Sequence, residues 1–172
     1  MEAKQRILKE KLLKNISKTR MKAISDIINR KNKNISIRLI EWFVSNYSKT
    51  HNIKYQVNNM EFEVHKSYKD EQMCSFNKKL FDMYKRTDTF IVEVDSNVSF
   101  KTTVAQLNFF QWAFKYKVIQ YVENNFQKIK EDLERDVKNK LSRKKLPKTR
   151  KTSKKFYEYT LISRLKTILS FS

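Results

Sequence analysis

Apolar residues recur at helical spacing from Leu8 onward: Leu8, Leu12 and Ile16, then Met21, Ile24 and Ile28. Steps of three and four put such residues on one helix face, so residues 3–31 are predicted to form one or two helices, with basic side chains between the apolar positions. A second helical stretch is predicted from near Ser36 to about Tyr47, with Leu39, Ile40, Phe43 and Val44 as its buried stripe and Trp42 and Tyr47 flanking it. The period then drops to two. Ile53, Tyr55 and Val57 alternate with polar residues, Asn58-Asn59 follows, and Met60, Phe62 and Val64 alternate with Glu61, Glu63 and His65. This pattern predicts a hairpin, because asparagine supplies the positive φ that a two-residue primed turn demands. Phe90, Val92 and Val94, a turn at Asp95-Ser96-Asn97, then Val98 and Phe100 predict a second hairpin. Between the two, residues 69–88 are polar and are expected to be irregular, with a short helical turn around Lys79–Tyr84.

Antiparallel strands with one apolar face need a cover. Thr103-Val-Ala-Gln106 has the capping-box pattern, in which the threonine hydroxyl and the glutamine side chain satisfy each other's backbone amides. From there Leu107, Phe110, Phe114, Val118, Val122, Phe126, Ile129, Leu133, Val137 and Leu141 step by threes and fours. They predict one long amphipathic helix, or two with a break near Lys115–Lys117. Its first half is aromatic enough to form the core, and from Gln127 it becomes more charged. Residues 138–155 hold ten Lys and Arg, no acid and the only proline, Pro147, which describes a basic arm. Residues 156–172 turn apolar again and are expected to dock back, as a helix followed by a closing strand at residues 167–171. The expected fold is thus α+β: N-terminal helices, two antiparallel hairpins forming a small sheet, one long covering helix and a basic C-terminal arm. A single domain over 1–137, the arm at 138–155 and the docking segment at 156–172 complete the expected organisation.

Composition narrows the classes. With 172 residues, 40% hydrophobic content and 12 Phe, 8 Tyr and 2 Trp, the chain is a folded domain rather than a disordered one. Residues 1–16 lack the apolar core of a secretory signal, and no apolar run is long enough to span a bilayer. Cys74 is the only cysteine, so no internal disulfide forms, which suits a reducing compartment. A soluble, intracellular protein is expected. Glycine is absent altogether. Phosphate-cradling loops of the P-loop and dinucleotide types need glycine where the backbone meets the phosphates, so neither is expected here in its usual form. Asparagine must take the left-handed positions instead.

Charge changes the picture most. Lys plus Arg number 38 against 18 Asp plus Glu, a net charge of +20. Such a surface attracts DNA, RNA, anionic lipid or acidic protein. An AT-rich genome would also enrich Lys, Asn and Ile while depleting Gly, Pro and Ala, and that bias is the competing explanation. The candidate nucleic-acid-binding residues are Arg143, Lys144, Lys145, Lys148, Arg150, Lys151, Lys154 and Lys155 in the arm, supported by the basic helices from Lys4 to Lys33. Lys and Arg neutralise phosphates and release counterions, which gives salt-sensitive binding without sequence preference. The alternatives for such a run are a solvated linker or a localisation signal.

Other constellations carry less. Tyr55, Phe62, Phe90 and Phe100 could stack bases, but the 104–126 helix has an equally large apolar stripe that needs them as core. The same holds for Phe109, Phe110, Trp112 and Phe114. Cys74 and His65 lack any group to orient the imidazole, so a thiol nucleophile is not expected. Glu61/Glu63 and Glu93/Asp95, each pair on one face of a predicted strand, are carboxylates of the kind a Mg²⁺-dependent nuclease needs near a lysine, and Lys101 is available, but surface alternation explains them equally. The N-terminal helix has a narrow aliphatic face better suited to packing than to a membrane surface. No catalytic residue, metal or cofactor is expected.

Two strings, residues 76–90 (FNKKLFDMYKRTDTF) and 102–126 (TTVAQLNFFQWAFKYKVIQYVENNF), resemble an uncharacterised protein family of nucleocytoplasmic large DNA viruses, the giant viruses. Residues 37–53 (IRLIEWFVSNYSKTHNI) resemble the equivalent part of that family, while the tail from Lys154 departs from it. The resemblance lies around aromatic core positions, so it implies a shared fold and a viral context and transfers no site residues. It also implies a virion or a cytoplasmic viral factory as the location. The expected function is a non-enzymatic viral protein that binds nucleic acid, DNA or RNA, by its phosphate backbone. The alternative is a minor capsid or assembly protein meeting acidic proteins or membrane, and a nuclease stands third.

Overall fold

The computed structural model describes residues 3–32, 34–74 and 78–145. Two serines set the starts of the second and third helices. Helix α1 (Ala3–Asn15) is followed by Ser17, whose Oγ accepts the Arg20 amide at 3.4 Å and caps α2 (Lys18–Ile28). α1 buries Leu8 and Leu12, and α2 buries Met21, Ile24 and Ile27. α2 ends on Arg30 in the left-handed region at φ 58°, with the amides of Lys31 and Asn32 turned back onto the Asp26 carbonyl at 2.8 and 3.1 Å.

Ser36 accepts the Leu39 amide at 3.2 Å and opens α3 (Ile37–Trp42). The helix widens into a π turn at Phe43–Tyr47 and closes with α4 (Ser48–Thr50). Through this stretch the hydroxyls of Ser45, Ser48 and Thr50 donate to the carbonyls four residues earlier, at 2.8, 2.9 and 3.1 Å. Such back-bonding competes with the regular ladder and fits the widened turn. Strands β1 (Lys54–Val57) and β2 (Met60–Glu63) pair with Tyr55 opposite Phe62, through a turn with Asn58 at φ 51° and Asn59 at φ 65°. The asparagines thus occupy the left-handed positions predicted for them. Helix α5 (Val64–Cys74) follows at once. β3 (Phe90–Asp95) and β4 (Val98–Thr102) form the second hairpin, whose register shifts between Glu93 and Asp95.

The capping box is present in full at the start of α6 (Val104–Lys115): Thr103 Oγ1 accepts the Gln106 amide and Gln106 Oε1 accepts the Thr103 amide, both at 3.2 Å. α7 (Val118–Asn124) and α8 (Phe126–Lys145) continue the same apolar stripe. α6 carries the centre of the core. Phe109 and Trp112 meet Tyr68 of α5 and Phe81 with ring centroids between 5.4 and 6.2 Å, and Trp112 Nε1 donates to Ser67 at 3.2 Å. Burial of each such ring stabilises the fold by about 1.5–3 kcal/mol. The start of α8 is tied down by Ile129, fully buried, by Trp42 Nε1 donating to Asp136 at 3.1 Å and by His51 meeting Asp132 at 2.8 Å.

The class is α+β, and four details correct the expectations. The hairpins form two separate two-stranded sheets, because each has its apolar side taken by helices rather than by the other hairpin. β1–β2 stacks on α6 and α7 through Phe62–Tyr116 and Tyr55–Tyr121, while α2 lies on β3–β4. The covering helix breaks near Tyr116–Lys117, as one of the two predicted forms had it, and breaks again at Asn125, whose side-chain amide donates to the Tyr121 carbonyl at 3.0 Å and competes with the ladder. Val64 starts α5 instead of ending β2, and α5 replaces the irregular start of the 69–88 segment. The first helical stretch after Ser36 reaches Thr50, beyond Tyr47.

By its internal contacts the chain divides into Met1–Asp136 and Val137–Ser172, the boundary falling within α8. The expected docking segment 156–172 lies outside the described residues. Among the described residues no helix is long and apolar enough to cross a membrane.

Candidate nucleic-acid interface

The excess charge is not spread along the chain. Residues 1–36 hold eleven basic and three acidic side chains, residues 137–172 hold twelve and one, and the hundred between hold fifteen and fourteen. The net charges are +8, +11 and +1. A codon bias acting on the whole gene would load the middle as well, so the near-neutral centre argues for placement.

In α1 and α2 the inward positions are fixed by packing, which leaves the basic ones to solvent. Gln5, Leu8 and Leu12 turn inward on α1, and Lys4, Arg6, Lys11 and Lys14 are exposed. On α2 Lys18, Arg20 and Lys22 are exposed. Three basic residues of the two helices find partners: Lys22 meets Asp95 at 2.6 Å, Lys9 lies 4.1 Å over the Phe90 ring and Arg20 lies 5.7 Å over the Phe114 ring. The hydrogen bond from Lys22 holds the Asp95 carboxyl below its ordinary range. Among the described residues Lys4, Arg6, Lys11, Lys14 and Lys18 have no carboxylate within ion-pairing distance.

Of the arm residues, Arg143, Lys144 and Lys145 lie in the last turn of α8. Lys148, Arg150, Lys151, Lys154 and Lys155 lie outside the described residues. Helix α8 changes character along its length: Glu131, Asp132, Glu134 and Asp136 balance its first half, and from Val137 to Lys145 it holds five basic residues and no acid.

The aromatic candidates are structural. Phe62 and Phe100 are buried, Tyr55 and Phe90 are half-buried, and Tyr55 donates to the Tyr116 carbonyl at 2.8 Å. Burial pushes the Tyr55 phenol well above its ordinary range and the Tyr68 phenol up to about 12, so both stay neutral. His65 Nδ1 lies 3.3 Å from the Val44 carbonyl, an anchor within the fold. Three of the four paired carboxylates are occupied too. Lys54 bridges Glu61 at 3.3 Å and Glu63 at 3.7 Å, and Asp95 belongs to Lys22. Glu61, Glu63, Asp70 and Glu71, with Lys66, line an open groove of about 540 Å³. Among the described residues no group of three or more His, Cys, Asp or Glu is placed to hold a metal ion.

A second cavity, of about 500 Å³, escaped the sequence reading. Arg30 from the end of α2, Arg38 from α3 and Arg86 from the loop before β3 all line it, with Tyr84, Ile28 and Met83. Arg30 and Arg38 are eight residues apart, Arg86 lies 48 residues further on, and the three share no motif. The one available signal was the scarcity of arginine: it supplies nine of the 38 basic residues, and three of those nine meet here.

Residues 1–161 match the family of unknown function DUF7197. The chain belongs to this family. A relative, the uncharacterized protein L507 of Acanthamoeba polyphaga mimivirus, is 38% identical over 122 residues, which cover 64% of this chain and 46% of the relative. The chain thus spans about half the length of the curated relative it matches. The giant-virus resemblance seen around residues 37–53, 76–90 and 102–126 therefore holds, and membership of DUF7197 brings no assigned activity with it. No solved structure matches the chain.

Proposed function

We propose that this protein is a non-enzymatic viral nucleic-acid-binding protein that grips the phosphate backbone through two basic segments, α1–α2 and the arm from Lys138 to Lys155, without sequence preference. The observation that carries the reading is the charge partition, +8 and +11 flanking a centre of +1, together with exposed Lys4, Lys11 and Lys14 of α1, which no carboxylate among the described residues meets within ion-pairing distance. Unpaired cations attract phosphates over a Debye length of roughly 8–10 Å and release condensed counterions on contact. Packaging in a virion or residence in a cytoplasmic viral factory fits the viral relative.

Fluorescence anisotropy with labelled duplex DNA over a series of salt concentrations tests it. The expected log–log dependence of affinity on salt is steep, about −0.9 for each phosphate contacted. Replacing Arg143, Lys144, Lys145, Lys148, Arg150 and Lys151 with glutamine should flatten the line. A shallow wild-type slope defeats the reading, and an unchanged slope in the variant removes the arm from it.

A further inference from the structure

We infer that the cavity of Arg30, Arg38 and Arg86 binds a phosphate monoester carried on a nucleoside, either a free mononucleotide or the phosphorylated end of a strand. This is a pocket of bounded size within the first unit, where Arg30 follows the basic helix α2 while Arg38 and Arg86 belong to the near-neutral centre, and it calls for one small ligand rather than a length of backbone.

The guanidinium groups are available. None of the three arginines has a carboxylate within 4 Å among the described residues. Two neighbouring acids are committed elsewhere: Asp82 accepts the Tyr84 amide at 2.8 Å and Asp88 meets Lys85 at 3.1 Å. Three like charges facing one space repel, and an anion between them removes that repulsion. Arginine rather than lysine is the informative choice in so lysine-rich a chain, because its planar fork meets two oxygens of one phosphate at once.

The walls are held before any ligand arrives. Gln106, already spent on the capping box, donates through Nε2 to the Met83 carbonyl at 2.8 Å, and Asn108 donates to the Leu80 carbonyl at 3.0 Å. Phe81 and Met83 are buried, so the loop that carries Tyr84 and Arg86 is fastened to α6. Arg30 is set by the left-handed end of α2. The lining also has an apolar share, Ile28 and Met83, and Tyr84 is half exposed, which offers a flat face for a base beside the cations.

Isothermal titration of the full chain with AMP, adenosine and inorganic phosphate tests the pocket. AMP should bind, and adenosine roughly tenfold or more weaker, since a phosphate held by charged donors carries the affinity. R38Q and R86Q should each weaken AMP by about tenfold, while K69Q, at an exposed residue that does not line the cavity, should not. Circular dichroism confirms folding, and Arg30→Gly, whose left-handed backbone favours glycine, serves as a variant that keeps the fold. Short oligothymidylate with and without a 5′-phosphate identifies the source: a preference for the phosphorylated form supports a strand end, and its absence alongside AMP binding supports a free nucleotide. Equal affinity for AMP and adenosine, or arginine variants that bind AMP like wild type, overturns the inference. Duplex binding that persists with no AMP binding defeats the pocket alone. The converse defeats the backbone reading alone.

Discussion

Lys117 sits at φ 54°, ψ 24° between α6 and α7, and Arg30 at φ 58° after α2. A side chain with a Cβ costs roughly 1–2 kcal/mol in this region, and glycine costs about 0.5–1 kcal/mol in lost chain entropy elsewhere. Lys117→Gly should therefore stabilise the fold by about 0.5–1 kcal/mol, seen as a higher urea midpoint with an unchanged slope; a lower midpoint would show that the Lys117 side chain contributes packing that outweighs the strain. The absence of glycine announced that other residues must fill left-handed positions, and Asn52, Asn58 and Asn59 do so. It could not announce Arg30 and Lys117, because those positions are set by where α2 and α6 meet the rest of the core and not by any local preference.

Among the elements, those with a strong period were legible: α1, α2, the stripe from Leu107 to Ile129 and both hairpins. Helix α5 was not. Its buried residues Val64 and Tyr68 continue the alternation of β2 for one step and then give too sparse a stripe to declare a helix, and Ser67 and Tyr68 are held there by Trp112, a partner far along the chain. The pairing of the hairpins was equally hidden, since alternation says which face is buried and nothing about what buries it. Gln106 shows how much one legible signal can carry. It was predicted only to complete the capping box, and it also accepts from Thr102 Oγ1 at 3.1 Å and donates to the Met83 carbonyl. Gln106→Ala should cost about 1–2 kcal/mol of unfolding free energy, against less than ~0.5 kcal/mol for an exposed control such as Gln120→Ala. A loss no larger than that control would mean that the loop before β3 is held by Phe81, Met83 and the Asn108 bond to the Leu80 carbonyl without help from Gln106.

For the whole molecule, the decisive question is whether position or merely quantity of charge governs binding. Net charge alone predicts that any six neutralised lysines weaken nucleic-acid binding equally, because a distant duplex responds to the total. Backbone contact predicts otherwise, since the salt slope counts phosphates actually neutralised, at about 0.9 each for duplex DNA. Exposed Lys49, Lys66, Lys69, Lys79, Lys101 and Lys128 lie in the nearly neutral centre and offer the comparison. Their replacement by glutamine removes as many charges as neutralising the six arm residues, yet should leave the slope within about one contact of wild type. The arm variant should lose several contacts. Neutralising Lys4, Arg6, Lys11 and Lys14 on α1 should lose contacts of its own, and the combined variant should lose the sum, because slopes of independent contacts add whatever the spacing between them. Equal losses from the central and arm sets would return the charge to the genome's base composition and leave the two basic segments without a special role.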